Sequence, residues 1–155
     1  GPSARAAEAA AALGAALADA QAYDLHRLAL GVPDAAADIS LEQDFALEGL
    51  YDELGAVDFH KGCYVGQEMT SRMKRRGTVR SKLARIAFDG AAPPRGTALT
   101  ADGVRIGEVR SGMDGAALAL VRLDRALEAG GVFDMDGRPA RLDLQPWLIT
   151  PQGES

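Results

Sequence analysis

A single cysteine, Cys63, serves the whole chain of 155 residues, so no intramolecular disulfide can form and the fold has to be held by its core. An unpaired thiol suits a reducing compartment, and a cytoplasmic location is the corresponding expectation. Histidine is almost as scarce. His26 and His60 have no Cys or His partner at ligand spacing, which leaves no zinc set and no metal site to expect. Trp147 is the only tryptophan; following Pro146 near the end of the chain, it is expected to plug a core or pack between domains rather than serve as a ligand platform. No apolar run is long enough to span a bilayer, and the alanine-rich opening carries Arg5, Glu8 and Asp19, so neither a membrane helix nor a signal peptide is expected. A Walker-type phosphate loop and internal repeats are also missing. Basic residues are outnumbered, 17 against 22 acidic, for a net charge of -5, which argues against nonspecific nucleic-acid binding by the chain as a whole.

What is present divides near residue 80. Before it the pattern is helical: an alanine-rich helix over residues 3–22 with Leu13 and Leu17 on one side, mildly interrupted by Gly14, then a short helix from an Asp24 cap to Gly31, where Val32-Pro33 stops it. Leu25 and Leu28 are expected to form its buried side. Residues 34–56 show no clean period and read as a loop with a short helical or extended piece. From residue 81 the rhythm changes to short strands separated by Asp89-Gly90, Asp102-Gly103, Asp114-Gly115 and Asp136-Gly137; Asp-Gly suits primed hairpin turns because glycine accepts positive φ. The expected strands are 83–88, 97–100, 104–109, 116–121, 131–135 and 138–144, with Ile86, Phe88, Val104 and Ile106 facing inward against Arg85 and Arg105. The fold class is α+β: a helical segment over 1–80 followed by a small antiparallel six-stranded β-barrel over 81–155.

The most informative stretch is Lys61-Gly62-Cys63-Tyr64-Val65-Gly66-Gln67-Glu68. Its two glycines permit a shaped turn that presents Cys63 ahead of a helix from Gly66 to Arg76, with Gly77 placed to end it. A free cysteine ionises near ~8.5, and a cation such as Lys61 or a following helix N-terminus lowers that value. The competing interpretation makes a lone cysteine a small buried hydrophobe.

Val57-Asp58-Phe59-His60-Lys61-Gly62-Cys63-Tyr64-Val65-Gly66-Gln67-Glu68, followed by Ser71-Arg72-Met73 and Arg76-Gly77-Thr78, resembles the signature of the YgfZ family of folate-binding proteins, relatives of the glycine cleavage T protein. Residues 23–33, 107–111 and 117–122 extend the similarity. His60 departs from the commoner Asp or Lys. The resemblance implies that residues 1–80 belong to a T-protein-like folate-binding domain, and that this chain is the C-terminal piece of a longer protein whose preceding region supplies much of the folate cavity. It further implies tetrahydrofolate as cofactor, iron-sulfur client enzymes as partners, and a role in iron-sulfur cluster assembly or repair and in tRNA modification. On this reading Cys63 is the reactive thiol, Lys61 favours its thiolate, and Glu68 orients Lys61 or acts as acid or base. Tyr64, Gln67, Arg72 and Arg27 contact the folate.

Two alternatives stay open. One is a folate-dependent aminomethyltransferase like the T protein, against which the Lys-Gly-Cys-Tyr motif tells. The other is a non-catalytic scaffold. Seven cations, Arg72, Lys74, Arg75, Arg76, Arg80, Lys82 and Arg85, fall in one stretch without a carboxylate; they suit RNA phosphates, a folate glutamate tail, or only a solvated helix face and a charge-guarded edge strand.

Overall fold

The computed structural model describes residues 2–77 and 79–150. The helical part opens with α1 (Pro2–Ala12), which gives way at Gly14, where φ is 64°. The chain stays non-helical until Asp19, whose carboxylate accepts the Ala22 N–H at 2.7 Å and starts α2 (Ala20–Leu30). The expected helix over 3–22 is therefore two pieces, and the cap is Asp19 rather than Asp24. The reason is local: a left-handed glycine ends one helix, and a carboxylate satisfies the orphan amides of the next. Asp24 lies a turn inside α2, paired with Arg27 at 3.0 Å. Gly31 ends α2 in the left-handed region, and the Val32 N–H reaches back to the Arg27 carbonyl at 2.8 Å. The buried side is Arg27 and Leu28, whereas Leu25, Leu13 and Leu17 are exposed.

A four-residue helix α3 (Ala35–Asp38) follows, capped by Asp34. Successive turns then carry Leu47 and Leu50 into the interior, and the Leu83 N–H bonds the Glu48 carbonyl at 2.9 Å. Helix α4 (Gln67–Arg76) lies between left-handed Gly66 and Gly77, as expected.

Six strands close a barrel: β1 (Ser81–Phe88), β2 (Ala98–Ala101), β3 (Val104–Met113), β4 (Ala116–Arg122), β5 (Val132–Met135) and β6 (Arg138–Leu142), in the order β1-β4-β3-β2-β5-β6. All neighbours run antiparallel. The β2–β3 and β5–β6 hairpins turn at Asp102-Gly103 and Asp136-Gly137, with positive φ at all four residues, the geometry of a type I′ turn. Asp89-Gly90 differs: it opens a long connection, because β1 pairs with β4 and β6 instead of with its successor. That closure also leaves β1 with partners on both sides, so its charges guard no edge. A six-residue helix α5 (Leu123–Glu128), unexpected from the sequence, follows β4 directly and buries Leu123 and Ala126.

The core comprises Leu83, Ile86, Leu99, Ile106, Val109, Val121 and Met135, with Leu50 entering from the turn region and Leu148 from the C-terminal segment. Val104 is exposed, since it pairs with Ala101 at the hairpin end. Leu148, not Trp147, packs on the core; Trp147 sits at the surface.

Candidate functional site: the Cys63 loop and the buried polar seam

Cys63 is exposed, on the loop that runs into α4. Three local contacts shape this loop. The Lys61 ammonium lies 5.1 Å from the centroid of the Tyr64 ring, a cation–π contact. The Tyr64 backbone N–H donates to Gln67 Oε1 at 3.1 Å, and the Thr70 hydroxyl donates to the Gly66 carbonyl at 3.1 Å. Gly66, with φ of 84°, makes the turn into the helix that a Cβ would oppose. Glu68 pairs with Arg72 one turn along at 2.5 Å rather than with Lys61. The structure thus gathers Lys61, Cys63 and Tyr64 on one loop, with Gln67 bonded to it from the start of α4, and puts Glu68 and Arg72 together on the exposed face of α4. Among the described residues the buried Tyr64 hydroxyl has no hydrogen-bond partner, and Gln67 bonds through its amide oxygen and not its amide nitrogen.

Arg27 lies elsewhere. It is buried against the barrel, donating to Asp24, to Asp38 and to the Ser111 hydroxyl at 3.2 Å. Asp38, fully buried, also accepts from Ser111 and from the Asp34 N–H at 2.8 Å. A second buried cation, Arg110, reaches Asp44 at 2.8 Å and Ser40. The register of β3 against β4 slips between Val109 and Ser111, so Arg110 is the extra residue of a bulge, the device that re-aims a side chain toward another element. Gln145 adds a bond from its amide to the Gly31 carbonyl at 2.9 Å. These contacts make a polar seam between the helical part and the barrel, with almost every charge answered.

Asp52, Glu53 and Lys82 form a third buried group, which sequence reasoning passed over; its only signal was two adjacent carboxylates in an aperiodic stretch. Lys82 pairs with Glu53, and Lys74 of α4 pairs with Asp52 at 2.9 Å, so the carboxyls tie α4 to β1. Burial, then the hydrogen bond with Asp52, pushes the Glu53 carboxyl above the usual range despite Lys82. For Asp52 burial acts in the same upward direction, but hydrogen bonds with Glu53 and Lys74 and the charges of Lys82 and Lys74 outweigh it and bring it to about 2.

The run of seven cations is thereby dispersed. Arg72, Lys74, Lys82 and Arg85 are each paired with a carboxylate, leaving Arg75, Arg76 and Arg80 exposed without an ion pair among the described residues. Among those residues no group of three His, Cys, Asp or Glu side chains is placed to hold a metal, and no helix is long and apolar enough to cross a membrane.

A closed six-stranded barrel behind a cysteine loop is the architecture to compare with known proteins. Residues 75–149 match the CAF17 C-terminal beta-barrel domain, in agreement with the closed six-stranded barrel that these residues form. The chain is 35% identical over 113 residues to the mitochondrial iron-sulfur cluster assembly factor IBA57 of Homo sapiens, an alignment covering 70% of this chain and 32% of the human protein. It is 33% identical over 112 residues to the mouse protein, covering 68% and 31%, and 42% identical over 73 residues to the IBA57 homologue of Neurospora crassa, covering 46% and 17%. The alignments span about a third or less of these curated relatives. The matches support the place among YgfZ/CAF17 proteins that the Cys63 motif implied. They overturn the expected cytoplasmic location, because these relatives are mitochondrial by name. A lone thiol reports a reducing environment, which does not distinguish one reducing compartment from another.

Proposed function

We propose that the protein serves iron-sulfur cluster assembly or repair as a folate-binding factor in which Cys63 is the reacting thiol. The observation that carries this reading is the exposure of Cys63 on a glycine-bounded loop directly ahead of α4, in a chain whose relatives are iron-sulfur cluster assembly factors. Tetrahydrofolate, when bound, supplies one-carbon and reducing chemistry through its pterin ring. At the start of α4 the amide nitrogen of Gln67 is a hydrogen-bond donor without a protein partner among the described residues. Lys61, which rests against the Tyr64 ring two residues from Cys63, is the cation that would favour a thiolate there. Glu68 must leave Arg72 before it can take or give a proton. The clients are iron-sulfur enzymes, and an effect on tRNA modification follows where such an enzyme modifies tRNA.

The test belongs on the full-length protein. Cys63→Ala and Cys63→Ser are expressed in cells lacking the protein, and aconitase activity is compared with the wild-type rescue; both variants are expected to fold and to fail. Full rescue by Cys63→Ala would reject the thiol. Calorimetric titration with tetrahydrofolate examines the cofactor separately, and an absence of binding would remove folate while leaving the thiol standing.

A further inference from the structure

Between the C-terminal half of α4 and β1 lies a cavity of about 450 Å³. Leu47 and Met73 give it apolar walls; Lys74, Arg76 and Lys82 line it as cations, and Asp52 is its one lining carboxylate. We propose that this cavity binds a small organic carboxylate, with its apolar body against Leu47 and Met73 and its anionic group between Lys74 and Arg76, and that binding takes up one proton on the Asp52–Glu53 pair. The site is separate from the Cys63 loop and does not rest on the thiol reading.

Volume and lining suit this ligand class, since pockets for small molecules are mostly apolar with a few convergent polar groups. Charge selects the anion. Arg76 has no acidic partner among the described residues, and the Lys74 side chain is 45% exposed, so its ammonium is within reach from solvent. The proton follows from two orphaned atoms. Unless a proton lies between the two carboxyls, Asp52 Oδ1 and Glu53 Oε2 are buried without hydrogen-bond partners among the described residues, on side chains only 7% and 1% exposed. A proton shared between neighbouring carboxyls satisfies both oxygens and leaves one negative charge where two would stand. The raised Glu53 and depressed Asp52 agree with that sharing. The charged groups facing the pair are Lys82 from β1 and Lys74 from α4. With the proton bound, three cations face a single carboxylate charge. An incoming anion that draws Lys74 away from Asp52 removes one of the charges holding Asp52 ionised, and proton uptake becomes easier still.

The experiment titrates the chain with benzoate, and separately with its neutral isostere benzamide, by NMR amide shifts at about pH 5.5 and about pH 7.5, conditions chosen to expose proton linkage. Benzoate is expected to shift residues 74–77 and 81–83, to bind more weakly at the higher pH, and to outbind benzamide. Arg76→Ala, an exposed substitution that leaves the core untouched, should weaken benzoate by about fivefold, the equivalent of roughly 1 kcal/mol for a partly exposed ion pair. Glu53→Gln should retain binding and lose its pH dependence; if that buried variant is poorly folded, proton uptake measured by calorimetry in two buffers on the wild type replaces it. Absent benzoate binding, equal binding of benzamide, or an unaffected Arg76→Ala would overturn the anion site. Binding without pH dependence or proton uptake would overturn the linkage.

Discussion

Removing the Asp38 carboxylate should be among the most damaging single substitutions in this chain. Asp38 is fully buried and accepts three hydrogen bonds, from Arg27, Ser111 and the Asp34 amide. In Asp38→Ala, Arg27 stays buried with Ser111 at 3.2 Å and Asp24 at 3.0 Å, and the Asp24 side chain is 55% exposed, so solvent screens its help. Arg27 cannot escape by losing its proton, because a guanidinium remains charged in proteins. Stripping a buried ion pair of one partner costs about 3–5 kcal/mol. For a chain of this size each kcal/mol moves the midpoint by about 2–4 °C, so the melting temperature should fall by roughly 6–20 °C. Urea unfolding followed by far-UV circular dichroism measures the loss. Arg27→Met combined with Asp38→Ala should recover at least half of it, because the second change takes away the stranded charge. A loss below about 1 kcal/mol, the size of an exposed pair, or a double variant worse than the sum of its parts, would refute the account of the seam.

Gly107→Ala should destabilise the barrel by about 1–3 kcal/mol or more by overpacking, since its Cβ would stand 2.2 Å from the Leu120 carbonyl oxygen in the paired strand; thermal melts check this. Cys63→Ala should leave stability within about 0.5 kcal/mol of wild type, as surface changes do, and iodoacetamide should alkylate native Cys63 stoichiometrically because the thiol is exposed. The acid pair predicts two opposed limbs in stability against pH. The contribution of Asp52 is present above its unfolded value and lost as pH falls toward about 2. That of Glu53, whose folded carboxyl holds its proton more tightly, is present at low pH and lost as pH rises through its raised value. Urea midpoints across acid pH should show both limbs, and Glu53→Gln should flatten the second.

Local rules were sufficient for a good part of this protein. Gly66 and Gly77 delimit α4 by their own conformational freedom, and Asp102-Gly103 and Asp136-Gly137 specify their hairpins, because a left-handed backbone position needs no distant partner to choose glycine. The change from helical to strand rhythm and the exposed cysteine turn were legible for the same reason. Tertiary structure decided the rest. Val104 faced solvent because barrel closure, not alternation alone, sets which positions lie inside. The run of cations from Arg72 to Arg85 looked like a continuous positive patch until folding delivered Asp52 to Lys74, Glu53 to Lys82 and Asp143 to Arg85. Glu53 and Lys82 are 29 residues apart, and Asp38 and Ser111 are 73. No periodicity or motif links charges over such separations. A charge on the chain has a sign from its residue type, but whether it is a field, a latch or a silent pair depends on which groups the packed core brings beside it, where low dielectric makes each neighbour count.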